Sequence, residues 1–340
     1  MASQADHERS IAATLQANLR QATGQELRLS AGIQRLTGGF DTETYGFRLE
    51  DAPDALSGDL VLRLFRGARE RHRVRSEAAI QNQVARSYPV PSVLIDTAGW
   101  TIMGRPYLIM RRIPGRSLLD TLADPTARAA GALLGTAHAR LHSVPAGEVI
   151  QALASFDLSA WTPDRLLADI QQLAEATTDP MLIALARWLD ERRPAAPPSP
   201  SLCHGDFHPG NVLVEDMRLA GVIDWTNFAL GHPEFDVAIS RLILSIGLVA
   251  GDDQPTVTEL LGAYEKAYQA ARGLDGALLR YYTVLRAGRA MARIVAAQHG
   301  TEVRGAAPDG YAWSQPRPYA AIRKVIRDET GLGAPRVAES

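Results

Sequence analysis

The stretch Leu202 to Ser240, LCHGDFHPGNVLVEDMRLAGVIDWTNFALGHPEFDVAIS, decides how the rest of the chain is read. In it Asp206 and Asn211 stand five residues apart, and Asp224 follows thirteen later. Between the first two lies a turn holding Pro209 and Gly210, residue types that pre-set tight backbone geometry. Two apolar runs, Val212-Leu213-Val214 and Gly221-Val222-Ile223, flank a polar turn at Glu215-Asp216. That order predicts a short hairpin with a carboxylate just past its second strand. Two carboxylates and one amide oxygen would then reach one edge of a small sheet. Sparse, hard oxygen ligands suit Mg2+, which keeps waters and takes further ligands from a phosphate chain.

The segment HGDFHPGN followed by IDW resembles the catalytic segment of the aminoglycoside phosphotransferase and choline kinase superfamily. It is similar to the protein-kinase pattern H-R-D-x-x-x-x-N with its later Asp. The resemblance implies an α+β, protein-kinase-like fold of two lobes. Residues 1–112 would form a small lobe with an N-terminal helix, a Gly turn and a five-stranded antiparallel sheet. Residues 113–330 would form a larger, mainly helical lobe carrying the catalytic segment 202–240 and the acceptor pocket, with 331–340 a disordered tail. It further implies ATP and Mg2+ as cofactors, Asp206 as catalytic base, and Asn211 and Asp224 as metal ligands. Read without the resemblance, the same residues make a hydrogen-bonded Asp/Asn turn cluster in a surface loop.

Composition narrows the alternatives. The 340 residues are 46% apolar and 22% charged, which fits a soluble globular protein. A net charge of −2 gives no electrostatic reason for a nucleic-acid partner. The many arginines are scattered and read as solvated faces. The single cysteine, Cys203, excludes an intrachain disulfide and reads as a small buried residue rather than a thiolate beside His204. MASQADHERS has neither a charged n-region nor an apolar h-region, and Val237–Ala250 is interrupted by Arg241. No signal peptide or membrane span is expected, hence a cytoplasmic protein. The two lysines, Lys266 and Lys324, lack the Gly-Lys-Ser/Thr setting that a P-loop requires.

In chain order, Ile11, Leu15 and Leu19 predict an amphipathic helix from His7 to Ala22, ended near Gly24. Thr37-Gly38-Gly39-Phe40 reads as a glycine turn between strands at 33–36 and 44–49. Gly38 and Gly39 let backbone N–H groups approach phosphate oxygens, and Thr42 or Thr44 adds a hydroxyl. Leu60–Phe65 is the next strand. By resemblance Arg63 on it holds the α- and β-phosphates in place of the usual Lys, paired with Glu77 on the following helix, Arg71–Ser87. Strands at Val90–Leu94 and Thr101–Met110 complete the sheet. Met110, Arg112 and Ile113 then resemble the inter-lobe hinge, where adenine pairs with main-chain groups under Met110.

Helices follow at Ala127–Ser143, Trp161–Leu173, Pro180–Arg192, Val237–Leu248, Pro255–Arg272, Ala277–Ala297 and Tyr319–Asp328. His138 and His142 are four apart and could face one metal, but no third ligand lies nearby in the sequence, so they read as core or capping residues. Asp236 matches the family's buried Asp that ties down the catalytic loop. His208 either touches the γ-phosphate or braces the turn.

Under the resemblance the chain moves the γ-phosphoryl group of Mg·ATP to a hydroxyl of a small-molecule acceptor. An aminoglycoside or related antibiotic is the lead, with Glu234 and Asp309 as candidate pocket carboxylates. A metabolic hydroxyl compound (choline, homoserine or sugar-like) or a macrolide is the alternative. A catalytically silent, kinase-shaped nucleotide-binding module is the reading from another class.

Overall fold

Every residue of the Leu60–Phe65 strand is buried, and the first of two compact units is built on both of its faces. The computed structural model describes residues 4–36, 42–66, 71–96, 99–122, 126–156, 162–246, 254–300, 306–308 and 311–333. The first unit comprises Met1–Gly115, Glu148–Phe156 and Ala220–Thr226, and the second Arg116–Gly147, Asp157–Leu219 and Asn227–Ser340. The sequence suggested one cut near Ile113, whereas two later stretches pack with the first unit.

In the first unit a five-stranded antiparallel sheet runs in the order Gln34–Arg35, Thr42–Phe47, Leu60–Phe65, Tyr107–Arg111, Val93–Asp96. Alternation along the central strand sends Leu60, Leu62 and Leu64 to one face, against Ile11, Leu15 and Leu19 of the Gln4–Thr23 helix. Val61 and Phe65 point the other way, against Val74 and Ala78 of the Arg71–Val84 helix. Period two therefore commits Arg63 to that second face. The expected strand at Thr101–Met110 is interrupted. Met103 and Gly104 have φ of 53° and 76°, closing a tight turn between Ile102 and Arg105, and the strand begins only at Tyr107. Positive φ at both central residues is the geometry that matches the twist of a hairpin.

The second unit is mainly helical. Among its described helices, Pro163–Thr177, Pro180–Glu191, Pro233–Ser245 and Gly276–Gln298 pack around one core that includes Leu166, Leu185, Phe235 and Leu285. The first two begin on capping side chains, Thr162 and Asp179, with Pro in the first turn. The helix Ala127–Leu141 lies against Gln254–Ala271. Their approach is set by two glycines: a Cβ on Gly131 would sit 2.3 Å from the Leu260 carbonyl oxygen, and one on Gly135 2.3 Å from that of Tyr264.

Gly135→Ala should therefore destabilise the protein by about 1–3 kcal/mol through overpacking, although alanine is the better helix former. Gly262→Ala, on a helical position with nothing within 4 Å of the added carbon, should not. Urea midpoints of the two variants check the contrast.

Candidate active site

The turn after the strand Ser201–Cys203 is held from beneath by one buried carboxylate. That strand pairs antiparallel with Ala229–Gly231. Gly205 follows at φ 82°, where a Cβ would lie 2.0 Å from the Asn227 carbonyl oxygen, so only glycine fits. The amides of His204 and Gly205 donate to Asp236 at 2.5 and 2.7 Å. Two imidazoles converge on the same carboxylate, His138 Nε2 at 3.0 Å and His142 Nε2 at 3.2 Å from Oδ2. Their Nδ1 atoms meet the hydroxyls of Tyr264 at 2.9 Å and Tyr268 at 2.6 Å. This pattern makes each histidine a neutral donor to Asp236 and an acceptor from tyrosine. Burial pushes the Asp236 carboxyl up, but the two histidines and the donors around it outweigh this and hold it well below the ordinary range.

His138, His142 and Asp236 are also a group that could hold a metal. Both ring nitrogens of each histidine are already engaged, and all three side chains are fully buried. The histidines thus find the third partner that the sequence did not place nearby, and they use it as a hydrogen-bonded support.

The support presents Asp206. His204 and Phe207 on either side are fully buried, while the Asp206 carboxylate is 31% exposed. Phe207 stacks on His138 with ring centroids 4.1 Å apart. Asn211 Nδ2 donates to the Asp206 carbonyl at 3.0 Å. That bond turns the amide so that its oxygen is the atom left for a cation. His208 Nδ1 accepts from the Gly210 amide at 3.1 Å, so the ring braces the turn. Ser117, which sequence reasoning did not single out, donates to the Pro209 carbonyl at 3.0 Å. A lone serine some ninety residues earlier carries no signal of that role.

The first unit assembles the other group. Arg63 is 6% exposed and Glu77 1% exposed. The guanidinium bonds Glu77 through Nη1, Asp224 Oδ1 through Nη2 at 2.6 Å, and the Thr42 hydroxyl through Nε at 3.2 Å. Thr226 takes part as well, accepting from Arg63 at 2.9 Å and donating to Asp224. Asp224 has φ 66°, an uncommon conformation for a side-chain-bearing residue and one that concentrates at functional sites. Carboxylate and amide oxygens are the donor set that a hard divalent cation takes. Asp206 and Asn211 belong to the second unit, and Arg63, Glu77 and Asp224 to the first.

The remaining expectations divide. Gly38 and Gly39 lie outside the described residues, as does Asp309. Met110 is buried beside Val61 and Leu108, and Ile113 packs against Gly221. The Arg112 amide already donates to the Asp59 carbonyl at 3.0 Å, which removes it from the groups open to an adenine. Glu234 is 4% exposed and accepts from the Asp275 amide at 2.9 Å, which makes it a support for the next helix start and not a pocket carboxylate. Cys203 is fully buried and burial raises its thiol, so it is no thiolate.

Burial lowers His138 to about 4, with His142 adding to it and Asp236 opposing, and lowers His142 too. The unfolded chain protonates both near the ordinary value of about 6.5. Between these values the unfolded state binds more protons, so stability is complete above pH 6.5 and falls as the pH drops towards 4. The slope from His138 alone is about 1.4 kcal/mol per pH unit. Urea unfolding at pH 7.5, 6 and 5 tests this; a midpoint that stays level would mean charged imidazoles in the fold.

The model of the phosphotransferase enzyme family matches residues 32–280. Acyl-CoA dehydrogenase family member 11 of Gallus gallus is 28% identical over 181 residues, covering 49% of this chain and 22% of that protein. Homoserine kinase of Pseudomonas aeruginosa is 30% identical over 158 residues, covering 45% and 47%. The chain thus spans about a fifth of the first relative and about half of the second. Among solved structures, the macrolide 2'-phosphotransferase MphH from Brachybacterium faecium is similar with a TM-score of 0.56 at 22% identity, covering 94% of this chain and 98% of that one. Aminoglycoside phosphotransferase APH(4)-Ia, in a ternary complex with ADP and hygromycin B, gives 0.57 at 19% identity and covers 91% and 98%. At these identities the likeness is one of fold.

Proposed function

Since the chain belongs to the phosphotransferase enzyme family, we propose that it transfers the γ-phosphoryl group of ATP, bound with Mg2+, to a hydroxyl of a small-molecule acceptor. The observation that carries this reading is the Arg63 fork, one guanidinium bonded to both Glu77 and Asp224. A phosphate-holding cation, its helix carboxylate and a metal-binding carboxylate are the parts phosphoryl transfer requires, and the bonds of Arg63 to Glu77 and Asp224 support that reading. Asn211 and Asp224 would hold Mg2+, which would supply charge neutralisation on the phosphates. Arg63 faces the phosphates through Nη2, the nitrogen that bonds Asp224 and Thr226, and Glu77 holds the guanidinium plane in place. Asp206 orients the acceptor hydroxyl and takes its proton, on a turn whose backbone Asp236 keeps rigid.

The acceptor expected from the resemblance is an aminoglycoside or related antibiotic. The hygromycin B complex of a protein with the same fold supports it, and the engagement of Glu234 elsewhere weakens it. A metabolic hydroxyl compound is supported by the 30% identity to homoserine kinase.

Calorimetric titration with Mg·ATP tests the nucleotide half of the proposal. Asp224→Ala should weaken binding by at least the roughly 10- to 100-fold typical of disturbed metal sites. Equal affinity in that variant would move the metal elsewhere. ATP consumption across aminoglycosides, macrolides and small alcohols tests the transfer itself.

A further inference from the structure

The helix Gly276–Gln298 carries Arg286, Arg289 and Arg293 at steps of three and four, which places them on one face. Arg286 is 7% exposed, with its guanidinium 3.7 Å from the centre of the Phe235 ring and its Nε donating to the Phe235 carbonyl at 3.3 Å. Its Nη2 is buried with no hydrogen-bond acceptor among the described residues. Arg289 reaches Asp169 at 3.3 Å, a carboxylate shared with Arg165 at 3.0 Å. Arg293 lies over the Tyr311 ring at 5.0 Å.

A short bonded path joins Arg286 to the candidate base. Arg286 holds the carbonyl of Phe235, the next residue is Asp236, Asp236 accepts from the Gly205 amide at 2.7 Å, and Asp206 comes next. All of these residues lie in the second unit. Electrostatics agrees with the path. Burial pushes Arg286 down to about 10, with Arg289 adding to this and Asp236 and Asp206 opposing. Tyr311 is raised by burial first, and it feels Arg293 and Arg289 as well as Asp206. Burying a guanidinium beside like charges is costly unless an anion compensates it.

We propose that Arg286, Arg289, Arg293 and Tyr311 form an anion subsite next to Asp206, so that the acceptor carries a carboxylate or phosphate as well as the hydroxyl to be phosphorylated. This rests on the phosphotransferase reading and names its substrate class. The same row repels a polycationic acceptor. Asp206 receives the hydroxyl, and the guanidiniums hold the acceptor's own anion, which fixes the distance between the two groups. In the transfer the acceptor oxygen bonds to the γ-phosphorus, the bond to the ADP oxygen breaks, and the hydroxyl proton passes to Asp206.

The test pairs acceptors that differ only in charge. Hydroxy acids of graded chain length are compared with their methyl esters, and hydroxyl-bearing phosphate esters with the parent alcohols, in both calorimetric binding and Mg·ATP turnover. The variants are Arg293→Gln, on the half-buried end of the row, and Arg286→Lys, which keeps the charge if the more drastic Arg286→Ala does not fold. Binding of the acids or of the phosphate esters, absent for their neutral partners, is expected, and the responding series identifies which anion is read. In Arg293→Gln, KM for the anionic acceptor should rise about 10- to 100-fold, the worth of a charge-assisted hydrogen bond, with little change in kcat. Anions that do not bind, or a neutral or cationic acceptor phosphorylated equally well by Arg293→Gln, would overturn the subsite and leave the phosphotransferase reading standing. Arginine-dependent binding of an anion without phosphorylation of any acceptor would keep the subsite and overturn phosphoryl transfer.

Discussion

Alanine at Asp206 should lower kcat by about 10²–10⁴-fold, the usual worth of a positioned general base, while Mg·ATP binds almost as in the wild type. The backbone of the turn has supports other than the Asp206 carboxylate. The turn is shaped by Asp236, Asn211, His208 and Ser117. Removing the partly exposed Asp206 carboxylate leaves those four supports in place. A loss confined to kcat marks a group that acts in the transition state. Turnover that is unchanged in this variant would sink the mechanism and favour a silent nucleotide-binding module.

The second large effect is structural. Asp236→Asn should cost about 3–5 kcal/mol of stability, the range found when one partner of a buried charged network is removed. The carboxylate accepts from His138, His142 and the amides of His204 and Gly205. An asparagine offers one oxygen to this set and turns an NH2 group towards donors. Any folded fraction should also lose turnover, because the amides of His204 and Gly205 set the approach to Asp206. Urea unfolding and kcat measured on the same refolded sample check both. Stability within about 0.5 kcal/mol of wild type, the range of ordinary surface substitutions, would show that the network is not what holds the turn.

Much of the candidate site could be read in advance because its chemistry is local. Asp206, Asn211 and Asp224 stand in one continuous segment, with turn and strand residues between them that have few other readings. The Arg63–Glu77 pair was legible from order along the chain, since a strand and the helix that follows it pack on one face. The rest depended on partners far apart in sequence. Asp236 meets His138 across 98 residues, so the histidine pair looked unsupported. Arginines read as scattered and solvated include Arg286 and Arg289, the first less than a tenth exposed and the second with a side chain 19% exposed. Nothing in composition distinguishes them from the surface guanidiniums. Glu234 looked like a pocket carboxylate because the amide it serves, that of Asp275, is 41 residues away. The turn at Met103-Gly104 was passed over because methionine seldom marks one.

The close pair of helices has a consequence for assembly. His138 meets Tyr264 and His142 meets Tyr268, an offset of 126 residues in both cases. Constant offset means that the two helices run in the same direction, and equal four-residue steps leave the alignment ambiguous by one turn. Sliding one helix along the other by a turn would still match a histidine to a tyrosine. The glycines break that degeneracy. After such a slide either Ala127 would face the Leu260 carbonyl or Ala139 would face that of Tyr264, in slots where a Cβ lies 2.3 Å from oxygen. The hydrogen bonds reward more than one alignment, and two missing methyl groups choose among them.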